Sequence, residues 1–123
     1  MPGSEKGSRK YLRCKPPIVS GLSLIAVPFA GQLKEAYLVV DAAPDEATFA
    51  LAKRPLNHNL QSAATINMTT ALTAYTPLAL TLATVSLTCH LDAGDTIEAT
   101  TAVTTTGSMT SIQLVVGIDP DQL

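Results

Sequence analysis

Val85-Ser86-Leu87-Thr88-Cys89-His90-Leu91, then Asp92-Ala93-Gly94-Asp95, then Thr96-Ile97-Glu98-Ala99-Thr100-Thr101-Ala102-Val103, and finally Ile112-Gln113-Leu114-Val115-Val116-Gly117-Ile118 is the stretch that decides the fold. Apolar residues keep a period-2 phase in each run: Leu87, Cys89 and Leu91, then Ile97, Ala99 and, past Thr101, Val103, then Ile112, Leu114, Val116 and Ile118. Side chains alternate between faces along a strand, so each run predicts a strand with one face turned to a core. The separator between the first two runs is turn chemistry. Asp92 opens the turn, Gly94 supplies positive φ, and Asp95 bonds nearby backbone before the next strand. Read together, the three runs predict a β-meander.

The residues before this stretch continue the theme. Leu78 to Leu91 is long for one strand, and its apolar phase shifts from Leu80 and Leu82 to Val85, Leu87, Cys89 and Leu91. A bulge near Ala83-Thr84, or a break into two shorter strands, accounts for the shift. Further strands are expected at Ser62–Met68, Leu33–Val40 and Leu22–Phe29, with a turn at Gly31-Gln32 and with Leu33, Tyr37 and Val39 sharing a face. Glu46–Lys53 reads as a strand carrying Ala47, Phe49 and Leu51 on one side, or as a short helix from its Ala, Leu, Glu and Lys content. Thr69 to Pro77 reads as a polar loop. These seven or eight short strands predict an all-β domain over residues 18–123, an antiparallel jelly roll or β-sandwich.

Charge divides the chain differently. Net charge is −2 over 123 residues. Residues 1–17 hold five basic residues and one acidic one, whereas the rest holds three basic and nine acidic. The N-terminal segment shows no strand or helix period, and Pro16-Pro17 imposes an extended path into the body. It therefore reads as an extended basic arm, able to reach roughly 55 Å when fully stretched. A signal-peptide reading of the basic segment plus Ile18–Ala30 is opposed by Pro16, Pro17 and Pro28 and by the poor cleavage sequence Pro28-Phe29-Ala30. The run is also too short to span a membrane as a helix. Two distant cysteines, Cys14 and Cys89, make no disulfide framework and point to synthesis in a reducing compartment.

No catalytic motif emerges. Asp92, Asp95 and Glu98 could donate oxygens to calcium, but the same residues make an ordinary tight turn. His58, Cys89 and His90 lack zinc-site spacing. Ser86 and His90 sit too far apart along one strand to act as nucleophile and base, and no Gly-x-Ser-x-Gly elbow frames them. Neither an enzyme nor a cofactor or metal is expected. Asn67-Met68-Thr69 is a glycosylation sequon, relevant only to a secreted chain. The arm carries the functional signal. Arg9, Lys10 and Arg13 suit an acidic surface, Tyr11 and Leu12 offer apolar anchors, and Pro16 and Pro17 would direct the arm away from the body. An acidic body disfavours nucleic acid as the partner, so another protein subunit is expected.

Leu91-Asp92-Ala93-Gly94-Asp95-Thr96-Ile97, preceded by a long Thr/Ala-rich strand and followed by an aliphatic last hairpin, resembles the small jelly-roll proteins that decorate tailed-phage heads. The likeness covers residues 22–118, and tumour necrosis factor-like and other viral jelly rolls use a similar Gly-Asp turn. The resemblance implies a non-enzymatic virion component on the outer capsid surface, made in the host cytoplasm. Its partners would be the major capsid protein and its own copies, as a trimer or a dimer, with no membrane involved. The alternative is a receptor- or carbohydrate-binding head of a viral fibre or adhesin, although no Trp and few other aromatics are present for sugar stacking. A minor coat protein that forms the shell itself is a third reading.

Overall fold

The computed structural model describes residues 9–55, 60–83 and 89–121. Among these, two antiparallel sheets pack as a β-sandwich, with one short helix. The strands are β1 (Lys10–Cys14), β2 (Gly21–Ala26), β3 (Gly31–Val40), β4 (Glu46–Arg54), β5 (Gln61–Asn67), β6 (Leu78–Ala79), β7 (His90–Leu91), β8 (Thr96–Thr105) and β9 (Ile112–Pro120); helix α1 is Met68–Ala71. The first sheet runs β1-β9-β3-β6, with β7 also paired to β3; the second runs β2-β8-β4-β5. The pairings nest inward from the chain ends: β1 with β9, β2 with β8, β3 with β6 and β7, β4 with β5. Two further ladders, β3 with β9 and β4 with β8, close the sheets.

The core lies between the sheets. From β3 and β9 come Leu33, Ala36, Leu38, Val40, Ile112, Leu114, Val116 and Ile118; from β4 and β8 come Ala47, Phe49, Leu51, Ile97 and Ala99. Burying a leucine as fully as Leu38, Leu51 or Leu114 stabilises by about 1.5–3 kcal/mol relative to exposure. Met68, first residue of α1, and Leu72 close part of the core, and Asn67 caps the helix by accepting from Thr69 N–H at 3.0 Å.

Several expectations need correction. The last three runs are not a meander: β7 and β9 belong to the first sheet and β8 to the second, so consecutive runs cross between layers. Each run has one apolar face, and a strand in either layer can bury it, so periodicity does not choose the neighbour. Leu78 to Leu91 follows the second of its two readings, a break into shorter strands: among its described residues Leu78–Ala79 and His90–Leu91 are the strands, while residues 84–88 fall outside the described residues. Gly31 is not a turn residue but the first residue of β3. A Cβ there would lie 2.7 Å from Asp119 O and 2.8 Å from Ile118 Cγ2. Leu33 does not share a face with Tyr37 and Val39, because the register shifts between Leu33 and Glu35; Leu33 points inward with Ala36 and Leu38, leaving Tyr37 and Val39 outside.

The division at residue 17 also fails for the described part of the arm. Lys10–Cys14 pairs with Leu114–Ile118 as an edge strand of the body. Leu12 and Cys14 face the core and are partly buried against it, while Tyr11 and Arg13 face outward. The alternation exists, but only two short apolar positions carry it. Residues 1–8 lie outside the described residues.

Candidate functional site

The outer face of the first sheet gathers the residues singled out in the N-terminal segment. Arg9 grips Asp119 with two bonds, Nε to Oδ1 at 2.6 Å and an Nη to Oδ2 at 3.1 Å. Its other amino group lies 3.1 Å from Glu35 Oε2. Tyr11 donates its hydroxyl to Glu35 Oε1 at 2.8 Å, and Tyr37 donates to Glu35 Oε2 at 3.1 Å. Strand register explains the convergence: Tyr11 is opposite Gly117 on β9, and Gly117 is opposite Glu35 on β3. Gly117 leaves the room for it, since a Cβ there would meet Glu35 Cγ at 2.7 Å and Arg9 Cδ at 3.0 Å. The network is a latch that fastens β1 to β9 and β3 from outside.

The latch sets the local titration. The hydrogen bond from Tyr11 holds the Glu35 carboxyl below its ordinary range, and the bond from Arg9 does the same for Asp119. The bond to Asp119 drives the Arg9 pKa upward, and the bonds to Glu35 raise both Tyr11 and Tyr37.

The other arm residues divide between anchoring and exposure. Lys10, Arg13 and Lys15 are exposed. Leu12 packs on the core, and Pro16 is buried. Pro17 accepts at its carbonyl from the buried Thr101 hydroxyl at 2.9 Å, and Val19 O lies 2.8 Å from the same oxygen. Pro16-Pro17 therefore carries the chain from the first sheet to the second, from edge strand β1 to edge strand β2; it does not launch an arm away from the body.

At the opposite end of β8, Gly94 has φ +98°. Asp95 is buried and accepts from Asp92 N–H through Oδ2 at 2.9 Å, and Asp95 N–H donates to Asp92 O at 3.0 Å. Glu98 points away from this corner and pairs with Arg54. Asp92, Asp95 and Glu98 thus do not converge, and no cluster of three metal-ligating side chains occurs among the described residues. His90 Nε2 lies 2.9 Å from Asp121 Oδ2, and the His90 carbonyl accepts from Lys53 Nζ at 2.7 Å, tying β7 to β4. His58 and Ser86 lie outside the described residues. Cys14 and Cys89 are free thiols outside any disulfide, each with its pKa pushed up by burial, and Cys89 Sγ donates to Ala83 O at 3.2 Å. No helix among the described residues is long and apolar enough to cross a membrane.

Beside the latch, Tyr37, Val39, Pro77, Gln113 and Val115 line a shallow open groove of about 410 Å³. Arg13, opposite Val115 in register, stands next to it. The outer face of the second sheet is of another kind. Leu22, Leu24, Thr48, Thr65, Thr100 and Ala102 are exposed there, and the neutralised pair Arg54–Glu98 sits toward one end.

Glu35, Tyr37 and Asp119 are the members of the latch that sequence reading missed. Arg9 and Asp119 are 110 residues apart. The one available signal is that each occupies an outward position of a strand whose other face is apolar. Compared with models of known protein families and with curated proteins, the chain matches none.

Proposed function

We propose that this chain is a non-catalytic jelly-roll module that binds the outside of a viral shell, a phage head in the first instance, and stabilises it by bridging shell subunits. The observation that carries the reading is the order of the strands. The pairs β1·β9, β2·β8, β3·β6/β7 and β4·β5, spread over a five-stranded and a four-stranded layer, support reading the chain as one long hairpin rolled up in the jelly-roll manner. The Asp92–Asp95 corner lies on that path, between β7 and β8.

The contact differs from a free arm. Arg9 and Tyr11 are engaged by Glu35 and Asp119, so the groups offered to an acidic shell surface are Lys10, Arg13 and Lys15, displayed on and just after an edge strand. Arg13 and Lys15 share the outward phase with Tyr11, while Lys10, in phase with Leu12, is exposed at the start of the strand; basic groups held on a strand lose less conformational entropy on binding than those of a disordered tail would. Many copies on a lattice turn modest contacts into firm attachment. Deleting residues 1–17 would remove β1 and bare the β9 edge, so charge reversal is the cleaner variant. Lys10→Glu/Arg13→Glu/Lys15→Glu is expected to keep the fold and to lose co-sedimentation with shells of the encoding virus. Equal pelleting of that variant and the unaltered chain would defeat the proposed contact. A glycan array addresses the alternative, a ligand-binding head using the groove at Tyr37.

A further inference from the structure

The four sheet edges are protected unequally. β1 presents Lys10 and Arg13, and charged side chains on an edge oppose pairing with another strand. β6 and β7 are two residues each, too short to template a partner. β5 turns polar Ser62, Thr65 and Asn67 outward, and its ladder with β4 is broken by a register shift. β2 has none of these devices. It reads Gly21-Leu22-Ser23-Leu24-Ile25-Ala26, without a charge or proline, and no described strand pairs with its side away from β8. Leu22 is 51% exposed, Leu24 57%, and Val19 just before the strand 61%. Three of the six large exposed apolar side chains among the described residues therefore belong to one edge.

We infer that β2 is a homotypic edge: two copies pair β2 with β2 in antiparallel fashion about a twofold axis, giving a continuous eight-stranded sheet. An axis through Ser23 sets Leu22 of one copy opposite Leu24 of the other, covering both leucines on the outer face. Charge permits this partner. β2 carries no charge, and the carboxylate opposite Leu24 in register, Glu98, is paired with Arg54, so like meets like without repulsion. About that axis five residues of each β2, Gly21–Ile25, pair, a contact roughly 17 Å long. Across a sandwich edge about 20 Å thick this gives roughly 340 Å² per copy, less than half of the roughly 800 Å² typical of a stable complex. The dimer is therefore weak in dilute solution and is reinforced wherever copies are held side by side. This names a surface for the self-association that the shell reading includes. It is tested on purified protein with no shell, so its failure and the failure of shell binding are separable.

Sedimentation velocity on the full chain across a concentration series is the test. The expected result is a monomer–dimer equilibrium with Kd between about 10 µM and 1 mM, as suits a small interface. Leu24→Lys, at an exposed position, should weaken it more than about tenfold by setting charge against apolar surface. Arg13→Glu, on the other sheet's edge, should leave it unchanged. Hydrogen exchange gives a second readout: amides of Gly21–Ala26 should gain protection as concentration rises, and those of Lys10–Cys14 should not. A chain that stays monomeric across the series overturns the inference. So does a dimer indifferent to Leu24→Lys, or a trimer as the smallest assembly, because an isologous strand pair closes at two.

Discussion

The two outer faces of the sandwich solve different problems. The first sheet carries Arg9, Tyr11, Glu35, Tyr37 and Asp119 in one bonded network, with Lys10, Arg13 and Lys15 exposed beside it. The second carries threonines, small residues and two leucines, with the ion pair Arg54–Glu98 among them. The difference follows from what each sheet must hold. β8 and β4 are ten and nine residues long and pair along nearly their whole length, so their ladder and buried side chains suffice. β1 has five residues, and its inward-facing Leu12 and Cys14 are only partly buried. It is therefore fastened from outside. Polar groups on an exposed face are here a structural clasp.

The largest effect that sharpens this contrast should come from Gly117→Ala. The added methyl would press on Glu35 Cγ and Arg9 Cδ, and about 1–3 kcal/mol of stability is expected to be lost in urea unfolding. Ala102→Ser, on the outer face of the second sheet, should stay within about 0.5 kcal/mol. Equal losses at the two sites would break the contrast. A local effect comes next: Arg9→Ala should speed amide exchange along Lys10–Cys14 while leaving β2 and β8 protected. Uniform acceleration would mean that β1 is not a separately held element.

Acid should act on the same face. Glu35 and Asp119 are held below their ordinary carboxyl pKa values in the fold. Their contribution is therefore fully present above the unfolded value near 4 and is lost as pH falls through the lower folded values. Protection of β1 should decline below about pH 4 before that of β8 does. The hydrogen bond from Thr110 holds Asp41 down in the same way, so the Thr110–Ser111 loop beside it should loosen over a similar range. Asn67→Ala should cost less than Gly117→Ala, about 0.5–1 kcal/mol from the lost cap of a one-turn helix, read in the same urea unfolding.

How much of this was legible in the sequence depends on how a segment is buried. β4, β8 and β9 are long and β-branched or alternating, so their period survives inspection, and Phe49, Leu51, Ile97, Leu114 and Ile118 could be placed in the core. β1 was hidden because basic residues fill its outward and terminal positions and give the look of a solvated tail. β6 and β7 were hidden for the opposite reason: Leu78 to Leu91 is apolar along its length with one shift of phase, yet among its described residues the strands are Leu78–Ala79 and His90–Leu91. Sheet membership was illegible throughout, because a half-apolar strand fits either layer equally well. The latch was illegible because Arg9, Glu35 and Asp119 are neighbours only in register, across three strands.

Co-sedimentation with shells of the encoding virus tests the central proposal most directly, since it asks whether a folded, latched body with an exposed basic edge grips a shell. The unaltered chain should pellet to a saturating, fixed ratio, and the Lys10→Glu/Arg13→Glu/Lys15→Glu variant, with an unchanged melting curve, should remain in the supernatant. Failure of the unaltered chain to pellet at any ratio, or pelleting of the variant to the same ratio, would contradict the account.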